Sequence, residues 1–163
     1  MEKVLFFGVC ILLFVCCRED KVKVVAEDLT YEISTEKWPR KSNINAKVLL
    51  VLKDWPEFSA METSFDALYT VVNREDLSLV IEDLIENQKL VESSDYPKIF
   101  DKPQIKSRQK VFKTYFLKTK GNLEYRLDPE EPVLEMINAY NALRNQFNVV
   151  VNDTLDIKSM LGE

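Results

Sequence analysis

The sequence contains no histidine, and its three cysteines, Cys10, Cys16 and Cys17, all fall within the first seventeen residues. Everything after Cys17 therefore lacks imidazole and thiolate metal ligands and thiolate nucleophiles. The zinc, haem and di-iron patterns of helical proteins drop out, as does any disulfide downstream. Glycine is scarce too: Gly8 lies in the opening run, and only Gly121 and Gly162 follow it. Sheets and barrels use glycine at turns and bulges, so this scarcity argues for helices joined by short polar loops. Neither an Asp-x-Asp-x-Asp-Gly calcium loop nor a glycine-rich phosphate loop occurs. A formal net charge of −5 lacks the basic footprint of a nucleic-acid binder, so no nucleic-acid partner is expected.

What is present at the start is an address. Lys3 precedes an unbroken apolar run, Val4 to Val15, which ends abruptly at Cys16-Cys17-Arg18-Glu19-Asp20. That is the layout of an export signal. The run is about a dozen residues, short of the roughly 17–25 that a membrane-spanning helix needs. A cysteine directly behind the run separates lipid-modified leaders from ordinary secretory ones. On these residues the stretch resembles a bacterial lipoprotein leader. Arg18-Glu19-Asp20 is similar to the export signal behind the lipid cysteine of many Bacteroidota surface lipoproteins. The resemblance implies a signal peptide over 1–16 and a lipid on Cys17 with Cys16 as the alternative; residues 17–41, charged and without a sustained period, read as a lipid-anchored tether plus a short element of uncertain type. It also implies an outer-membrane anchor, with the domain on the periplasmic or surface face; without lipidation the product is periplasmic or secreted. It reaches no further than the leader.

The remaining chain is one domain's length, and residues 42–163 read as an all-α, up-and-down bundle of four to five main helices plus a short C-terminal helix. A helix is expected behind Ser42, carrying Ala46, Val48, Leu49, Leu50 and Leu52 and closing at Trp55-Pro56, with a buried strand as the alternative. Pro56 suits a first helical position. Phe58, Met61, Phe65, Leu68 and Val72 then line one face. Asn73, with Glu75 and Asp76 behind it, has the chemistry of a cap, although one long helix kinked there is also conceivable. Leu77, Val80, Ile81, Leu84 and Val91 carry the next face. After Pro103 come Ile105, Phe112, Tyr115, Phe116 and Thr119, with Gly121 as the expected stop. Asp128-Pro129-Glu130-Glu131 is the strongest start signal in the chain. It opens a helix burying Val133, Met136, Ile137, Tyr140, Leu143, Phe147 and Val150, followed by a short turn of helix over Thr154 to Leu161. Trp38-Pro39 and Trp55-Pro56 read as packing wedges.

Two polar patterns invite function. Acids crowd Asp54 to Tyr96, eleven against Arg74 and Lys89, and bases crowd Lys98 to Arg126, nine against Asp101 and Glu124. Such blocks commonly attract one another across a bundle. Within the basic block Lys106, Lys113 and Lys120 recur every seven residues as a ridge that could meet anionic lipid or an acidic partner. The second pattern is Asn138, Asn141, Asn145, Asn148 and Asn152, which share one narrow strip at about 100° per residue. Asparagine is a poor helix former, so the strip conflicts with local propensity and marks a place to look for function. Its amides suit sugar hydroxyls, peptide backbone or a neighbouring helix. Replacing Asn141, Asn145 and Asn148 with alanine should raise helix stability and abolish partner binding. Arg144, inside the apolar arc, should snorkel or pair with an acid of the 54–96 block. Asn152-Asp153-Thr154-Leu155 offers Thr154 as a glycosylation site, or a plain helix cap.

No nucleophile with its base, metal cluster or cofactor motif is legible, and Glu82, Asp83 and Glu86 read as surface carboxylates. A carboxylate-pair hydrolase is the remaining enzymatic possibility. The expectation is a non-enzymatic module without cofactor, held to a membrane through its lipid anchor. It would act as adaptor or accessory subunit to an envelope protein. The alternative is a small-ligand or glycan binder using Asn138, Asn141, Asn145 and Asn148 or a bundle cavity.

Overall fold

The computed structural model of the protein describes residues 32–161, with side chains through residue 153. The leader, with Cys16 and Cys17, lies outside the described residues. Five α-helices follow one another: α1 Ala46–Leu52, α2 Pro56–Ala67, α3 Arg74–Ser93, α4 Pro103–Glu124 and α5 Glu130–Leu161. No strand is formed among the described residues beyond a single antiparallel bridge, Glu32 to Asn73. The four longer helices run up and down. α3 packs on α2 and α4, α5 packs chiefly on α4, and short α1 rests on α5 and α2.

The helix starts follow local chemistry. Asn45 caps α1 by accepting from the Val48 N–H, so the expected helix begins at Ala46 and the strand alternative is excluded. Asn73 caps α3 in the same way through the Asp76 N–H, which separates α2 from α3. Pro56 and Pro103 each open a helix where a missing N–H leaves nothing unsatisfied. Before α5, Asp128 Oδ1 accepts from the Glu130 N–H at 2.9 Å.

The core is an aromatic column. Trp55 stacks on Phe58, and Phe58 meets Phe147 edge-on, with ring centroids 5.3 and 5.1 Å apart. Phe65 lies 3.8 Å from Tyr140, and Phe112 lies 4.9 Å from the same ring. Loop residue Phe100, unforeseen from periodicity, is fully buried 4.5 Å from Phe147. Both tryptophans are buried wedges, and the Trp55 Nε1–H donates to Ser94 Oγ at 2.8 Å.

Four expectations are corrected. Val72 is exposed and Val71 is buried in its place. The cause is a 3-10 turn, Leu68–Thr70, which leads into extended backbone at Val71 and so breaks the 3.6-residue phase. Gly121 does not stop α4, which runs on to Glu124. The stop is a Schellman closure: the Leu127 N–H donates to Asn122 O at 2.7 Å, and Arg126 takes the left-handed position at φ 55° where glycine is usual. α5 is continuous to Leu161, with no break before Thr154. The cap expected of Asp153 or Thr154 falls with it, since both positions lie inside the helix. Finally, residues 32–41, read from sequence as part of a tether with a short element of uncertain type, are packed chain. The Ile33 N–H donates to Val72 O at 3.0 Å, Thr35 Oγ1 donates to Tyr69 O at 3.3 Å, and Trp38 is buried. The packed unit therefore includes residues ahead of Ser42.

Candidate functional site

The asparagine strip is the floor on which residues 40–45 lie. Asn141 brackets one residue of that chain: its Oδ1 accepts from the Ser42 N–H at 2.7 Å and its Nδ2 donates to Arg40 O at 3.0 Å. Asn148 repeats the grip three residues further on, accepting from the Asn45 N–H at 2.9 Å and donating to Asn43 O at 3.0 Å. Each side-chain amide satisfies one peptide N–H and one C=O, as a neighbouring strand would. The spacings are commensurate: seven helical residues rise about 10.5 Å, and three residues of nearly extended chain cover about 10 Å. Asparagine at a seven-residue interval thus fits peptide backbone at a three-residue interval.

Between the two grips Arg144, only 6% exposed, donates from Nε to Ser42 O at 2.7 Å. Its Nη1 donates to Glu62 Oε1 on α2, and the Tyr140 hydroxyl donates to the same oxygen. Lys41 Nζ sits 3.7 Å from Glu62 Oε2 and 2.5 Å from Asp66 Oδ1. One carboxylate therefore joins α2, α5 and the overlying segment. Burial pushes the Tyr140 hydroxyl well above the ordinary tyrosine range, and the Glu62 carboxylate adds to the shift. The phenol stays protonated and remains a donor. Burial likewise raises Tyr69, opposed by the Arg40 guanidinium 5.3 Å from its ring, and the Tyr69 hydroxyl donates to Pro39 O at 2.7 Å.

The strip is thus divided. Asn141 and Asn148 hold the protein's own backbone, Asn152 holds the Asn45 side chain, and Asn138 and Asn145 are exposed. Arg144 pairs with an acid of the 54–96 block, as its place in the apolar arc suggested. The expected gain in helix stability changes sign at Asn141 and Asn148, because removing those amides strands peptide groups. The Thr154 side chain lies outside the described residues, although its backbone is within α5.

The lysine ridge is engaged with acids. Lys106 pairs with Asp101 at 2.6 Å, Lys113 with Glu92 at 2.7 Å, and Lys120 with Glu124 at 3.4 Å and Glu82 at 3.7 Å. Two of these contacts join α3 to α4, so the acidic and basic blocks meet across the bundle. Beside the ridge a cleft of about 400 Å³ is lined by Glu92, Tyr96, Lys106, Gln109, Lys110 and Lys113. Sequence reasoning missed two glutamines in the adjoining interior, Gln88 and Gln109, because helical periodicity counts apolar residues only. The Tyr96 hydroxyl donates to Gln109 Oε1 at 2.7 Å, while Gln109 Nε2 and Gln88 Oε1 have no partner among the described residues. Burial raises the Tyr96 hydroxyl above its ordinary value, although the Gln109 bond works the other way.

No group of His, Cys, Asp and Glu among the described residues is arranged to hold a metal, and no helix among them is long and apolar enough to cross a membrane. The chain matches no family model, no curated protein and no solved structure.

Proposed function

We propose that the protein is a lipid-anchored, non-enzymatic helical module of a bacterial cell envelope, acting by non-covalent contact as adaptor or accessory subunit of another envelope protein. The observation that carries this reading is the course of residues 32–45. Among the described residues, the stretch nearest the proposed anchor at Cys17 is paired at Glu32 with Asn73 and bonded along α5 by Asn141, Arg144 and Asn148, so it is built into the bundle. The surface of the module includes Leu49 and Leu50 of α1, 51% and 63% exposed. The test is fractionation and mild crosslinking of the tagged full chain in its native host, with mass spectrometry of what is recovered. The expected result is membrane partitioning that Cys17→Ala abolishes, and one stoichiometric envelope protein. Unchanged partitioning of the Cys17→Ala and Cys16→Ala variants, with no protein recovered, overturns the proposal.

A second reading, a binder of a small anionic ligand, is favoured by the unpartnered Nε2 of Gln109, a residue only 2% exposed that helps line a cleft bearing three lysines. A thermal-shift screen of carboxylated and phosphorylated sugars tests it. A stabilising hit lost in Gln109→Leu and Lys110→Ala supports the binder, and a silent screen removes it.

A further inference from the structure

The outer strip of α5 repeats the first pair of asparagines beside it. Asn138 and Asn145 are seven residues apart, like Asn141 and Asn148, and lie about 40–60° further round the helix. At a helix radius of about 5–6 Å that arc is about 5 Å, close to the 4.7–4.9 Å between neighbouring strands. Asn138 and Asn145 are exposed and bond no other side chain or backbone group among the described residues. Between and beyond them on the same stripe stand Ala142, half-buried, and Val149, exposed, both short and uncharged. In the segment gripped by the first pair, the backbone groups of Lys41 and Ile44 make no hydrogen bond within the described residues.

We propose that the Asn138, Ala142, Asn145, Val149 stripe is a docking rail for an extended peptide segment of a partner protein, laid alongside residues 41–44. The occupied pair supplies the argument. There an asparagine amide accepts one peptide N–H and donates to the carbonyl two residues earlier, twice, three residues apart. The second pair has the same residue type, interval and helix, and stands one strand-width away. A peptide on it is held through its backbone by the two amides, as residues 40–45 are held by Asn141 and Asn148. The rail reads backbone, so it takes small, uncharged side chains at inward positions and asks for no charge. The inference deepens the adaptor reading and rests on it.

The test uses the full chain in lipid nanodiscs, labelled with ¹⁵N-asparagine, and the capped peptide of residues 39–46 (PRKSNINA) as probe. The expected result is saturable movement of the Asn138 and Asn145 side-chain NH₂ signals. Asn138→Ala/Asn145→Ala should weaken the affinity at least about tenfold, as two lost pairs of hydrogen bonds require. Backbone N-methylation of the peptide should abolish binding. The double variant will fold, because alanine favours helix over asparagine. No saturable shift, equal affinity in the double variant, shifts centred on Asn141 and Asn148, or the same response to a neutral oligosaccharide each overturns the rail. A partner still recovered by crosslinking from the double variant would leave the adaptor reading standing while the rail falls.

Discussion

Helices α4 and α5 each carry identical polar side chains at seven-residue intervals, and the two rows do opposite work. On α4, Lys106, Lys113 and Lys120 point to the rim, and their acids are as solvated as they are, with side chains roughly one-third to three-fifths exposed. On α5, Asn141 and Asn148 flank a buried Arg144 and lie beneath another stretch of chain. Periodicity is the same in both rows, and desolvation separates them. An exposed ion pair exchanges one good solvation for another and contributes little. An uncharged amide that closes two peptide groups away from water is hard to lose, because its removal leaves them unsatisfied.

The contrast can be broken most severely at Arg144. Arg144→Met leaves Glu62 without its cation and Ser42 O without a donor, and should cost about 3–5 kcal/mol in denaturant unfolding. Glu62→Met in the same chain should recover part of that, because it removes the uncompensated carboxylate while Ser42 O and the Tyr140 hydroxyl stay without their partners. If the double variant is no better than the single, the cluster is not acting as an ion pair.

Within the strip the two asparagine pairs should move in opposite directions. Asn141→Ala/Asn148→Ala should destabilise by about 1–3 kcal/mol net and speed amide exchange over residues 42–45. Asn138→Ala/Asn145→Ala should gain a few tenths of a kcal/mol through helix propensity. Equal signs would refute the division of the strip.

Alkaline pH probes the same cluster. Tyr140 is held above its unfolded value, so the folded state keeps a proton that the unfolded state gives up near pH 10. Stability is therefore full below about pH 10 and falls as pH rises toward the folded value. Tyr140→Phe should flatten that limb of the stability curve, and an unaltered limb would assign the titration elsewhere. The smallest effect belongs to the ridge. Replacing Lys106, Lys113 and Lys120 with glutamine should change stability by less than about 1 kcal/mol. Since the lysines are already paired, binding to anionic vesicles should be unchanged; a large loss would restore the lipid-contact reading.

Much of the helical frame was legible because it is written locally. Pro56, Asn73, Pro103 and Asp128 mark starts by chemistry that acts within four residues, and the apolar spacing marks the buried faces. Even Arg144 stood out, a cation in an apolar arc with snorkelling or an acid partner open to it. The misses share a different cause. Val71 replaced Val72 because a three-residue turn changed the phase, and Gly121 misled because Arg126 took the strained position two residues past the end of α4. Phe100 and residues 32–41 carry no period at all, and their places are set by surfaces built elsewhere in the chain. Glu62 could not be chosen among eleven acids without knowing which of them faces Arg144.

By itself the sequence determined that the protein is helical, where most of its helices begin and which residues fill the core, since propensity, caps and a 3.6-residue period act over one or two turns. It also flagged the asparagine strip, through its conflict with helix propensity. Only the tertiary structure decided what that strip does. Asn141 and Ser42 are 99 residues apart, and Asn148 and Asn43 are 105 apart. A contact between residues so distant leaves no periodic trace. Its geometry exists only once the bundle has brought α5 beneath the incoming chain, and the loss of water there is what makes the bonds count.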